Sequence, residues 1–340
     1  MPDPDFSWDP AARPPIAGLR PWRAESYRLE PENVGNKFVV HNYGHGGAGI
    51  TMSWGCAQEI VDIIFSHGVA QNQDVAVLGA GVMGLTAASL LSERQLKVTV
   101  YAKDFPPHTT SNVAGGQWAP SLVEHNDSQQ FDRILRRAFT THRSKIGGGF
   151  GVSERLNYTL HHSANFDVVP QDVIPAPHAF QHLPFTHLTA SGYAYSTLLV
   201  EPPIFLAKLH SELQLANVQF IQKEFADVST VLQLPESIVV NCTGLGSKRT
   251  WQDNKVTPVK GQLVLLPPQT NLKYLYSSHG YLFPRSDAVV VGGSEERNFT
   301  DDKPNVTMCK TILANVKAVF DGRTHLLAEE FVPDWFIRDK

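Results

Sequence analysis

Two glycine-dense stretches carry most of the chemistry that can be read in this sequence. The first, NYGHGGAG (Asn42 to Gly49), concentrates the residue type that loses most conformational freedom on folding, so its density needs a reason. A helical pattern follows from Thr51: Trp54, Ala57, Val61, Ile64 and Phe65 share a face, and Gly68 supplies a stop. The positive end of that helix, with unpaired N–H groups, points back at the loop and would stabilise a group that becomes anionic there. A purely structural loop around a satisfied His45 is the plainer alternative. The second stretch is Gly79-Ala80-Gly81-Val82-Met83-Gly84. It follows a buried strand, Val75 to Leu78, and precedes a helix, Leu85 to Arg94. In that setting Gly79 permits the turn, Gly81 lets backbone approach a pyrophosphate, and Gly84 lets helix and strand pack closely. The next strand, Lys97 to Tyr101, should end in an acid that grips ribose hydroxyls. It ends Ala102-Lys103-Asp104, so Asp104 is the nearby carboxylate, and Lys103 is either a solvated strand end or a contact to the adenosine half.

The elements around these stretches set the fold class. The chain has 340 residues, 42% apolar and 18% charged, long enough for about two lobes around a substantial core. The first 33 residues read as extended chain, Phe38 to His41 as a short apolar strand, and residues 66–74 as a polar linker. Val169 to His187, rich in Pro and His, breaks regular structure. Ile238 to Val240, Gln262 to Leu266 and Ala288 to Val291 read as strands. The expectation is an α/β protein: one parallel, helix-flanked sheet and a second lobe of largely antiparallel strands. With 29 basic against 33 acidic residues there is no electrostatic footprint for nucleic acid, and no apolar run of membrane-spanning length. Neither an N-terminal signal core nor a C-terminal peroxisomal tripeptide is seen. Cys56, Cys242 and Cys309 form neither a disulfide framework nor a metal knuckle, and a reduced cytoplasmic setting fits them best. The histidines, among them His161, His162, His178, His182 and His187, lack paired metal-ligand spacing, so no metal is expected.

VVHNYGHGGAGITMSWGCA (residues 39–57) resembles the flavin-loop signature of the D-amino-acid oxidase family, FAD enzymes of the glutathione-reductase-like superfamily. VAVLGAGVMGLTAA, VTVYAKDFPPHTTSNVAGGQWAP, VVNCTG, VKGQLV and AGLRPWR are similar to further segments of that family. The resemblance implies a Rossmann-like FAD-binding domain from residues 33–140 and 210–254. A mainly antiparallel substrate domain would come from 10–32, 141–209 and 255–340. It also implies a chain in circularly permuted order: AGLRPWR and the HNYGHGG loop, late in most members, here precede GAGVMG. The linker 66–74 would bridge the usual termini, and His325 to Glu330 should lie near Ile16 to Arg20.

The resemblance assigns roles as well. Arg20, on residue type alone a surface ion-pair partner, would hold a substrate carboxylate with two-pronged geometry. Gly47 would offer its carbonyl to the substrate amine, while Arg23 and Arg28 stay structural. Gly46, Gly47, Ala48, Gly49, Ile50 and Thr51 would meet the flavin, with Ala48 leaving the pocket roomier. Gly79 to Gly84, Ala102, Lys103, Asp104, Thr109 and Thr110 would bind the rest of the FAD. Ala114, Gly115, Gly116, Gln117 and Trp118 would line the flavin, Gln117 near its reactive edge, and Thr243 and Gly244 would turn under the adenosine half. Tyr193 and Tyr195 are candidates to cover the substrate, or else half-buried strand aromatics. The implied activity is oxidation of D-amino acids to 2-oxo acids and ammonia. It proceeds by hydride transfer to flavin N5, with dioxygen reduced to hydrogen peroxide. An FAD-dependent amine or imino-acid dehydrogenase of specialised metabolism is the alternative, and a nucleotide-binding scaffold without catalysis a third. A small amino-acid substrate and dioxygen are the expected partners, without nucleic acid or membrane; a homodimer is kept open.

Overall fold

The computed structural model describes residues 1–323, folded around two sheets that meet at one cavity. Three strands open the chain: β1 (Ile16–Arg23), β2 (Arg28–Val34) and β3 (Lys37–Tyr43). Helix α1 (Gly49–Ser66), strand β4 (Asp74–Leu78), helix α2 (Val82–Glu93) and strand β5 (Lys97–Ala102) follow. Next come helix α3 (Ser128–Ser144), β6 (Val152–Thr159), a short helix α4 (Ala164–Asp167), β7 (His178–Phe180) and β8 (Gly192–Val200). The remainder holds α5 (Pro202–Leu215), β9 (Gln219–Gln222), α6 (Val228–Leu232), β10 (Ile238–Asn241), α7 (Gly246–Thr250) and β11 (Val256–Leu266). Strands β12 (Tyr274–Ser277), β13 (Tyr281–Pro284), β14 (Val289–Gly292) and β15 (Glu296–Arg297) and helix α8 (Val306–Phe320) complete it.

The first sheet runs β2-β3-β10-β4-β5-β9, parallel except for β2, which pairs antiparallel with β3. Its central strands carry the unbroken apolar runs that burial on both faces requires: Val75 to Leu78 and Ile238 to Val240 are all buried. Four of these strands end at the cavity. Tyr43 leads into the glycine loop, Leu78 into Gly79, Ala102 into Lys103, and Asn241 into Thr243 and Gly244. Ligands of open parallel sheets bind at such carboxyl ends.

The second sheet runs β1-β11-β14-β13-β12-β6-β8-β7, with β15 beside β11. It is antiparallel apart from the β6–β12 pair. Alternation divides its faces: Val264, Leu266 and Leu282 pack with Val316 and Phe320 of α8, while Leu263, Tyr281 and Phe283 face the cavity. Within the opening stretch read as extended chain, the part from Ile16 on is paired into β1 and β2, while residues 1–15 form no strand. β1 is an edge strand, which accommodates Pro21. The run expected from Gln262 begins six residues earlier, at Val256. Helix α1 also departs from a one-faced pattern: Ile50 to Ala57 are buried without a break, because α2 and α3 both pack against it. Among the described residues, no helix is long and apolar enough to cross a membrane. His325 to Glu330, expected beside β1, lies outside the described residues.

Candidate active site

The cavity, about 470 Å³, runs from the ends of the parallel strands to the inner face of the second sheet. At its centre the two glycine motifs stand side by side. Gly79 takes φ +107°, and a Cβ there would lie 2.4 Å from the Cys242 carbonyl oxygen. A Cβ at Gly84 would lie 1.9 Å from the Gly79 carbonyl oxygen, so this glycine seats α2 on its own turn. Helix α2 has no side-chain cap, and Ser111 Oγ accepts from the Val82 N–H at 3.0 Å. Helix α1 is likewise uncapped, and its ladder starts with Met52 N–H donating to the Ala48 carbonyl. Both helix ends therefore turn positive dipoles toward the cavity, α1 without a capping side chain and α2 with its Val82 N–H engaged by Ser111.

Arg20 and the glycine loop are brought together by backbone bonds. Gly46 N–H donates to the Pro21 carbonyl at 2.9 Å, and Trp22 and His45 form a β-bridge. The guanidinium lies against the bare backbone of Gly261 on β11, where a Cβ would come 2.1 Å from Nη2. Nη1 donates to the Ser294 carbonyl at 3.2 Å, and no carboxylate among the described residues forms a salt bridge with Arg20. Tyr281 shares this end of the cavity, stacked on Phe283 with ring centroids 4.4 Å apart. Burial raises its phenol pKa while the nearby Arg20 opposes that shift, so Oη keeps its proton. His45 also lines the cavity, but burial holds its imidazole at about 3 and therefore neutral. Arg23 is tied to Asp253 and Arg28 to Glu30 and Glu32, both structural.

Most of the expected site residues line the cavity: Arg20, Gly46, Gly47, Gly49, Ile50, Gly79 to Met83, Ala102 to Asp104, Thr109, Thr110, Ala114 to Gln117, Thr243 and Gly244. Lys103 is thus a wall residue, alongside Lys223, Phe225 and Arg249. Six expected residues do not line it. Tyr195 is buried against Phe166, ring centroids 4.4 Å apart, and its hydroxyl accepts from the Ser163 N–H. Tyr193 packs on His162. Both are strand aromatics of β8, the second of the two readings open for them, whereas Tyr281 lines the cavity wall. Trp118 is fully buried behind the wall, its ring edge-on to Phe139. Ala48 is buried at the α1 N-cap, and Thr51 Oγ1 is engaged by the Ala119 backbone. Gly84 acts within the helix packing. Tyr281 was missed because Tyr193 and Tyr195 show the same strand alternation; the distinguishing signal is glycine. Gly292, beside Tyr281 on β14, leaves room for its hydroxyl, since a Cβ there would lie 2.4 Å from Oη.

The residues present suit an elongated dinucleotide. Glycine backbone and two helix ends cradle the middle, where phosphates would sit. Two buried polar atoms in the wall, Gln117 Nε2 and Asn42 Oδ1, have no hydrogen-bond partner among the described residues, as expected where a ligand supplies one.

Comparison with known proteins agrees. The human D-aspartate oxidase is 27% identical over 265 residues, 72% of this chain and 75% of that protein. The D-amino acid oxidase of Dugesia ryukyuensis is 25% identical, over 73% of this chain and 78% of its own. That of Schizosaccharomyces pombe is 28% identical, over 65% and 69%. A family model described as FAD dependent oxidoreductase matches residues 74–339, beginning at the first residue of β4. This chain belongs to that DAO family, and its cofactor is FAD.

Proposed function

We propose that the protein is an oxidase of D-amino acids, converting them to 2-oxo acids and ammonia with release of hydrogen peroxide. The observation that carries this reading is Arg20: a guanidinium held in the cavity wall by a backbone carbonyl and a glycine, with no salt bridge to a carboxylate among the described residues. A substrate carboxylate completes it through paired, charge-assisted hydrogen bonds. The protonated Tyr281 hydroxyl adds a donor to the same anion. Gly47 lines the cavity near Arg20, a Cβ there lying 3.6 Å from Arg20 Cδ, and its carbonyl accepts from the substrate amine. These contacts fix carboxylate and amine, and so leave the α-hydrogen one direction in which to point. No side-chain base is required: His45 is buried and neutral, and a substrate bound with its amine unprotonated supplies the driving lone pair itself. The bound FAD supplies two-electron oxidation of the α-carbon, with dioxygen as final acceptor. Gly49 and Ile50, at the uncapped end of α1, offer N–H groups to negative charge arising beside them. A dehydrogenase with another acceptor uses the same groups for binding, and peroxide yield separates the two. With a D-amino acid in air-saturated buffer, one peroxide and one 2-oxo acid per dioxygen are expected. Turnover that needs an added acceptor and yields no peroxide refutes the oxidase assignment.

A further inference from the structure

The wall around Arg20 carries an acidic side chain. Glu295 lines the cavity immediately after Ser294, the residue whose carbonyl holds Arg20, and its side chain is only 15% exposed. Arg297 occupies one of its oxygens, Oε1, at 2.7 Å, and is itself stacked over the Trp22 ring at 4.6 Å. The other oxygen, Oε2, accepts no hydrogen bond among the described residues. Strand register explains the proximity: Arg297 is level with Val259 on β11, and Val259 with Arg20 on β1. Of the remaining basic wall residues, Lys103 follows β5 and Lys223 follows β9 in the other sheet, and Arg249 is paired with Glu224; His45 is neutral.

We propose that Glu295 sets substrate choice, favouring amino acids whose side chain ends in a cation and turning away those ending in a carboxylate. A ligand filling this end of the cavity excludes water from a carboxylate with unused acceptor capacity, which is costly unless the ligand supplies a donor. A guanidinium or ammonium supplies a charge-assisted one, whereas an acidic side chain meets a like charge. Arg297 keeps Oε1 throughout, so it tempers the preference without abolishing it.

The inference rests on the reading of Arg20 as the carboxylate anchor, and a binding measurement separates the two. Holoenzyme is titrated with unreactive acids of similar length, 5-guanidinopentanoate, hexanoate and glutarate, following perturbation of the flavin absorbance. The guanidino acid should bind at least about tenfold more tightly than hexanoate, and glutarate most weakly. Glu295→Gln should bring guanidino acid and hexanoate within about threefold while leaving hexanoate unchanged, and Arg297→Gln, which releases Oε1, should widen the preference. A wild-type protein that does not favour the guanidino acid, or a Glu295→Gln variant that still does, overturns the proposal. No perturbation by any of the three overturns both this and the anchor role of Arg20. The expected ranking without oxidation of any amino acid supports Glu295 and refutes the oxidase reading alone.

Discussion

At the scale of single residues, the account turns on what Arg20 touches. Replacing it with Met removes the guanidinium and should raise KM for amino acids well over tenfold, about 2–3 kcal/mol of lost charge-assisted contact, with the flavin spectrum unchanged. An unchanged KM would remove Arg20 from the site. Gly261→Ala tests the same point without touching the charge: the new Cβ would overlap the guanidinium and push it from its seat. We expect a similar rise in KM and retained flavin; wild-type kinetics would show that Arg20 has freedom the packing does not suggest. The phosphate-turn glycines were legible from residue type and near neighbours. Arg20 and Gly47 were singled out only by the resemblance of their segments to the family, since residue type alone made Arg20 a surface ion-pair partner. Tyr281 and Glu295 were not. Tyr281 reaches the cavity because β13 pairs β14 and β14 pairs β11, Glu295 because β15, which it precedes, pairs β11. Nothing local distinguishes Tyr281 from the tyrosines of β8.

At the scale of elements, the phosphate end of the site depends on α2 sitting directly on the turn before it. Gly84→Ala places a methyl against the Gly79 carbonyl. The resulting shift should cost about 1–3 kcal/mol of stability and yield protein purified largely without flavin; full flavin occupancy would show that the contact relaxes. Helix α3 carries a pH-sensitive group. His142 is fully buried, stacked on Phe205, with Nδ1 bonded to the Ala138 carbonyl and Nε2 without a partner among the described residues. Burial lowers its pKa to about 4. The unfolded chain takes up this proton first as pH falls below about 6.5, so its contribution is present above that pH and lost progressively toward pH 4. The slope approaches about 1.4 kcal/mol per pH unit. His142→Phe should therefore flatten the fall of the denaturation midpoint between pH 6 and 4.5, and an unaltered slope would contradict a neutral buried imidazole. The glycine motifs, β4, α2 and β5 were legible because strand, turn and helix follow one another within about thirty residues. The extent of α1 burial was not, since its second covering helix, α3, lies far along the chain.

At the scale of the whole molecule, cavity walls come from segments separated by most of the chain: β1 and the glycine loop precede the family match at residue 74, yet they close the cavity its residues form. That arrangement favours the permuted order read from the motifs. A chain reordered to begin at Asp74, with its present ends joined by a flexible linker, should fold and bind FAD with wild-type absorbance. Failure to refold or to hold flavin would argue that the present order is required. The two-lobe α/β architecture was legible from motif context, while the sheet register that sets Arg20 against Gly261 was not, because it joins residues more than two hundred positions apart. The most direct test of the central claim is anaerobic mixing of the purified holoenzyme with single D- and L-amino acids while the oxidised flavin band is followed. The account predicts bleaching by D-amino acids, with the L-enantiomers inert. A band that no amino acid bleaches, or purified protein that carries no flavin, would contradict it.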